Sequence, residues 1–202
     1  MSRIVSDRAE KTDQVVVLPS ALEDSKLAPP GTYRIFLVAL LVSIFAFFAA
    51  LVVAYWYRAV AMAPHWQHLE LPPVLWISTV VIAASSATFE IARRVYGRGQ
   101  WRLASRYLLA TVTLGLAFLG CQLTAWKDLV RQGAYLRENP HGSFFYLFTG
   151  LHAAHLVGGL IMLFFVMYGR NKRRELVNAT CYYWHFLGLL WLGLFEVLRN
   201  IS

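Results

Sequence analysis

Residues 144–168 read FFYLFTGLHAAHLVGGLIMLFFVMY, a run of 25 residues without Lys, Arg, Asp or Glu. As a helix this stretch reaches roughly 37 Å, enough to cross a bilayer with some tilt. Near its middle stand His152 and His155, three apart, beside small residues at i, i+4 and i+8, namely Gly150, Ala154 and Gly158. Polar side chains at membrane depth need protein or water around them, and small residues let a second helix approach closely. The stretch therefore predicts a transmembrane helix packed among others, with Gly150, Ala154 and Gly158 forming a close helix contact.

Four more apolar runs flank it, at about 35–57, 74–92, 107–126 and 181–198. A chain of 202 residues that is 58% hydrophobic and 15% charged is far outside the soluble average. The fold class is all-α, a polytopic membrane bundle of five transmembrane helices. Residues 1–33 form a polar N-terminal tail of mixed charge, and residues 34–202 form the transmembrane domain. The apolar VVVL at 15–18 is too short for the core of a signal peptide.

The net charge of +8 does not point to nucleic acid, because the positive residues lie in short segments between apolar runs. One side of the membrane receives the tail with Arg34, the second link with Arg93, Arg94, Arg98, Arg102 and Arg106, and the link at 170–174. Together these carry fourteen of the nineteen Lys and Arg. The positive-inside rule then predicts a cytoplasmic N-terminus and an outside C-terminus. The arginines of the second link are candidates for a lipid or partner surface, or are determinants of topology alone. With this orientation Cys121 and Cys181 lie near opposite faces, which argues against a bridge between them.

Glu90 and His185 come out at similar depth on neighbouring spans, and a contact between them would lower the cost of an intramembrane carboxyl. For His152, His155 and His185 three uses stay open. They are metal or haem ligation, a proton relay, and interhelical hydrogen bonds that fix packing. Ligation requires facing histidines at matched depth, and His185 is displaced from His155 by roughly 10 Å along the membrane normal. Packing is the use the spacing favours, so Glu90, His152, His155 and His185 are taken as structural polar contacts. His65, His68 and His141 fall in loops, and Glu196 either snorkels to the interface or pairs with Arg199 one turn on. No phosphate loop, nucleophile elbow or HExxH zinc motif appears, so no catalytic, cofactor or metal residue is assigned.

Two segments resemble the subunit III family of haem-copper oxidases. FFYLFTGLHAAHLVGG at 144–159 is similar to that family's Thr-Gly-x-His-x-x-His helix, and YYWHFLGLLWLGL at 182–194 to its closing Trp-His-Phe helix. LPPVLWISTVVIAASSATFEIARR at 71–94 resembles the family's helix with a Ser-rich centre, and Gln122 falls where the family has a Gln. The resemblance runs through residues 34–200 and implies a five-helix form lacking two N-terminal helices of longer members. It implies a non-catalytic subunit of a terminal respiratory oxidase of the cytochrome c oxidase type in the inner (cytoplasmic) membrane. Such a subunit stabilises the large catalytic subunit during turnover, holds lipids and supports proton entry. Haem and copper are expected in that partner and none in this chain. Two positions depart from the pattern: Ile44 and Gly188 stand where many members carry Glu and Asp. Rival readings are a helper subunit of a nitric oxide reductase, which the same motifs suit, and a small membrane b-type cytochrome using these histidines.

Overall fold

The computed structural model describes residues 32–61, 71–132, 140–169 and 174–201. Five helices make up nearly all of it. They are α1 Thr32–Ala61, α2 Val74–Gly97, α3 Trp101–Arg131, α4 Pro140–Tyr168 and α5 Arg174–Ile201. All five are long and apolar enough to cross a membrane. The expectations for residues 1–31, for His65 and His68, and for Arg170, Lys172 and Arg173 lie outside the described residues, as does the side chain of His141.

Every helix but α2 begins before its predicted apolar run, and all except α4 outlast it. The apolar run marks only the part matched to hydrocarbon, whereas backbone hydrogen bonding continues through the interface until a turn stops it. The expected arginine-rich link at 93–106 is the clearest correction. Arg93 and Arg94 belong to α2, Arg102 and Arg106 to α3, and the turn between them is confined to Arg98–Gln100. Gly99 makes it tight, with φ +78°, a left-handed conformation that side chains disfavour.

Helices α2 to α5 close a ring in which α2 meets α3, α3 meets α4, α4 meets α5, and α5 returns to α2. The core inside holds Phe89, Leu108, Phe118, Phe148, Leu156, Trp184, Leu187 and Trp191, all essentially buried. Trp184 and Trp191, the largest of them, project from α5, of which 44% of the most apolar stretch is buried. For α1 that share is 11%. It touches the ring chiefly through Phe48 and Tyr55, which meet the rings of His155, Phe144 and Phe148. An apolar groove of about 570 Å³ separates α1 from α5, lined by Phe45, Val52, Phe186, Leu190 and Gly193 among others.

Candidate functional site

An indole N–H inside an apolar span must find an acceptor, because lipid offers none. The α5 tryptophans find theirs on α2. Trp184 Nε1 donates to Ser85 Oγ at 3.1 Å, and Trp191 Nε1 to Thr79 Oγ1 at 3.0 Å. Ser85 Oγ donates in turn to the Thr111 carbonyl on α3 at 3.2 Å, and the hydroxyls of Thr88 and Thr111 meet at 2.9 Å. Gln122 Nε2 on α3 donates to Ser78 Oγ on α2 at 3.2 Å. Trp126 Nε1 on α3 donates to Thr149 Oγ1 on α4 at 2.9 Å. Tyr183 Oη on α5 donates to the His155 carbonyl on α4 at 3.0 Å. Every neighbouring pair in the ring is thus joined by at least one side-chain hydrogen bond, each contributing on the order of 0.6 kcal/mol in a bilayer. Sequence reasoning missed this circuit, and the unassigned indoles of Trp126, Trp184 and Trp191 were the signal that marked it.

The histidines behave differently from that circuit. His152 is fully buried, but neither of its ring nitrogens has a hydrogen-bond partner among the described residues. It sits between aromatic rings instead, 5.8 Å from Phe118 and 5.4 Å from Trp191, so the expected polar interhelical contact is a ring contact. His155 Nδ1 donates to the Leu151 carbonyl of its own helix at 2.7 Å, while its ring meets Phe48 at 5.6 Å. His185 lies with Glu90 and Cys181. The three histidines therefore have three separate sets of neighbours.

Glu90 is anchored by arginines of its own helix rather than by His185. Its Oε1 accepts from Arg93 Nη2 and Arg94 Nε, both at 2.7 Å, and its Oε2 from Arg93 Nε at 2.8 Å. His185 Nε2 is 3.6 Å from Oε2, beyond the usual N–H···O range. The i+3 and i+4 positions of a helix face the same side, so the sequence EIARR folds this fork locally. Arg93 and Arg94 are accordingly committed to Glu90, Arg94 while still exposed, and Arg98, Arg102 and Arg106 are exposed as well. At the opposite end Glu196 pairs with Arg199 at 2.7 Å.

The small-residue ladder also needs correction. Ala154 is exposed, and a Cβ at Gly150 or Gly158 would meet its nearest neighbour at 3.7 or 3.8 Å, which is ordinary contact. The close approach lies one residue on. A Cβ at Gly159 would come within 3.1 Å of the Trp184 ring, and one at Gly115 on α3 within 3.0 Å of the same ring. These two glycines make the slot in which Trp184 lies.

Cys121 and Cys181 are both free thiols. Among the described residues one group offers converging metal-ligating atoms, Glu90, Cys181 and His185, within 4.8 Å of one another.

The comparisons with known proteins agree with this architecture. The family model described as cytochrome c oxidase subunit III matches residues 30–200. "Cytochrome c oxidase subunit 3" of Corynebacterium diphtheriae is 30% identical over 142 residues, covering 67% of this chain and 69% of the relative. "Probable cytochrome c oxidase subunit 3" of Mycobacterium tuberculosis is 34% identical over 130 residues, covering 61% of this chain and 64% of the relative. "Cytochrome bo(3) ubiquinol oxidase subunit 3" of Pseudomonas aeruginosa is 28% identical over 167 residues, covering 78% and 76% respectively. With five membrane-length helices and a family match over nearly all of them, this multi-pass membrane protein belongs to the cytochrome c oxidase subunit III family.

Proposed function

We propose that the chain is an accessory subunit that braces the catalytic subunit of a cytochrome c oxidase in the inner (cytoplasmic) membrane. Its N-terminus faces the cytoplasm and it contributes no haem or copper of its own. The observation that carries this reading is the contrast between the ring and α1. Glu90, His152, His155 and His185 of α2 to α5 are held by neighbours within the bundle, while α1 presents a long apolar side, with Ala39, Val42, Ala46 and Val53 exposed. Small and β-branched residues on an outward side suit close packing against another helix in the bilayer. Support of proton entry follows indirectly in this reading, by holding the partner's own proton path in shape. Ile44, buried at 7% exposure, and Gly188 supply no carboxylate where many family members have one.

The test is a mild-detergent pull-down of the tagged chain, followed by a visible spectrum and protein identification. Haem should arrive with a large multi-span partner that also carries copper, and should be absent from the isolated chain. Ala46→Trp on the outward side of α1 should cut recovery of that haem severalfold while the chain itself still inserts. A haem band that stays with the isolated chain would replace this reading with the b-type cytochrome. A haem partner without copper would replace it with a nitric oxide reductase helper, and a quinol oxidase partner would change the electron donor.

A further inference from the structure

Cys181 is completely buried on α5 near the end of the bundle that carries Arg93 and Arg94. Cys181 and His185 are four residues apart on one helix face, and Glu90 reaches them from α2. Sγ is 3.4 Å from His185 Nε2 and 3.8 Å from Glu90 Oε2, and Nε2 is 3.6 Å from Oε2. Zinc bound tetrahedrally, with bonds of about 2.3 Å to sulfur and about 2.0–2.2 Å to nitrogen and oxygen, holds such ligand atoms about 3.4–3.6 Å apart. The observed triangle has nearly those edges. Without an ion the thiol makes sulfur hydrogen bonds along the two Sγ edges, while the nitrogen-to-oxygen edge is too long for a direct hydrogen bond.

We propose that Glu90, Cys181 and His185 form a binding site for a zinc-class divalent cation, with one carboxylate oxygen, one thiolate and one imidazole as ligands. The ion bonds to Sγ as the thiol proton leaves to solvent, and no electron is transferred. His185 then carries its remaining proton on Nδ1. The carboxylate and thiolate together balance the charge of the ion. Arg93 and Arg94 fix the orientation of the carboxylate from behind, the part that outer partners play around metal ligands. Their bonds leave Oε2 with a lone pair to give. The fourth ligand is water, and His185 also borders a groove of about 470 Å³ between α2 and α5 whose lining is mostly apolar. His185, Ser86 and Gly188 line this groove, and Gly188 keeps it open by having no side chain.

The experiment uses the full chain in its complex, stripped with chelator and then titrated with zinc chloride alone. Bound zinc is counted by elemental analysis after desalting. In parallel, alkylation of Cys181 by N-ethylmaleimide is followed by peptide mass spectrometry. The wild type should bind one more zinc per chain than Cys181→Ala. Glu90→Gln should weaken that binding at least tenfold, and Cys121→Ser should leave it unchanged. Zinc should slow alkylation of Cys181 in the wild type at least tenfold, magnesium should not, and chelator should restore the rate. Equal zinc content in wild type and Cys181→Ala would overturn the proposal. So would a Cys181 alkylation rate that zinc does not change, a readout that needs no substitution.

Discussion

Trp184 concentrates in one side chain what holds the helices of this protein together. Its indole fills the slot between Gly115 and Gly159, and its N–H ends on Ser85, which passes the bond on to α3. Ser85→Ala leaves the indole N–H without an acceptor and is expected to cost about 1–3 kcal/mol. A lowered thermal midpoint in detergent, most of it absent when Ser85→Ala is made in a Trp184→Phe background, is the measurement that checks it. Gly159→Ala should also destabilise, by about 1–3 kcal/mol from overpacking, less about 1 kcal/mol of gained helix propensity. The indole is hydrogen-bonded and buried, so it has nowhere to retreat. Gly158→Ala, with room at 3.8 Å, should be neutral or stabilise by up to about 1 kcal/mol. Equal effects at 158 and 159 in a thermal scan would contradict this assignment of the close contact. The sequence showed small residues in α4 but not which of them faces a neighbour. The helix is apolar on all sides, so no polar stripe fixes its rotation. The same ambiguity hid the surroundings of His152, whereas for Glu196 the sequence left two uses open and the structure shows the pair with Arg199, one turn away.

Among the elements, α1 stands apart. Its number and position could be read from sequence, as could those of α2 to α5, because a membrane-length apolar run has few alternatives. Its loose seating could not, since a helix apolar all round reads the same whether lipid, protein or this chain's own ring covers it. Tyr55, fully buried against Phe144 and Phe148, is its main fixing point together with Phe48. Tyr55→Ala is expected to cost about 3–5 kcal/mol of local packing, by the scale for large-to-small aromatic changes. In hydrogen exchange, amides of α1 should become faster while those of α2 to α5 keep their protection. Uniform acceleration across all five helices would mean that α1 is integral to the ring. Arg93 and Arg94 teach a related lesson: as sequence they read as a charged link, but EIARR continues α2 and turns both guanidiniums onto Glu90.

At the scale of the whole molecule, the distribution of Lys and Arg sets the expected orientation. Alkaline phosphatase fused after Ser202 should be active and a fluorescent protein fused there dark, with the reverse for fusions in the Arg98–Gln100 turn. The opposite pattern would invert the topology and place the Glu90, Cys181 and His185 cluster toward the outer face. That turn also has a bearing on how the chain is made. Three residues separate α2 from α3, so the cost of bringing these helices together is small and they can pair as a hairpin as soon as both have left the ribosome. The ring cannot follow at once. Both indoles that bind back to α2 lie on α5, which is synthesised after α2, α3 and α4. Until α5 arrives, Ser85 and Thr79 keep only the bonds they donate to the Thr111 and Leu75 carbonyls, and the indole bonds that tie α5 to α2 are the last to form. Closure of the ring thus rests on the last helix to be made.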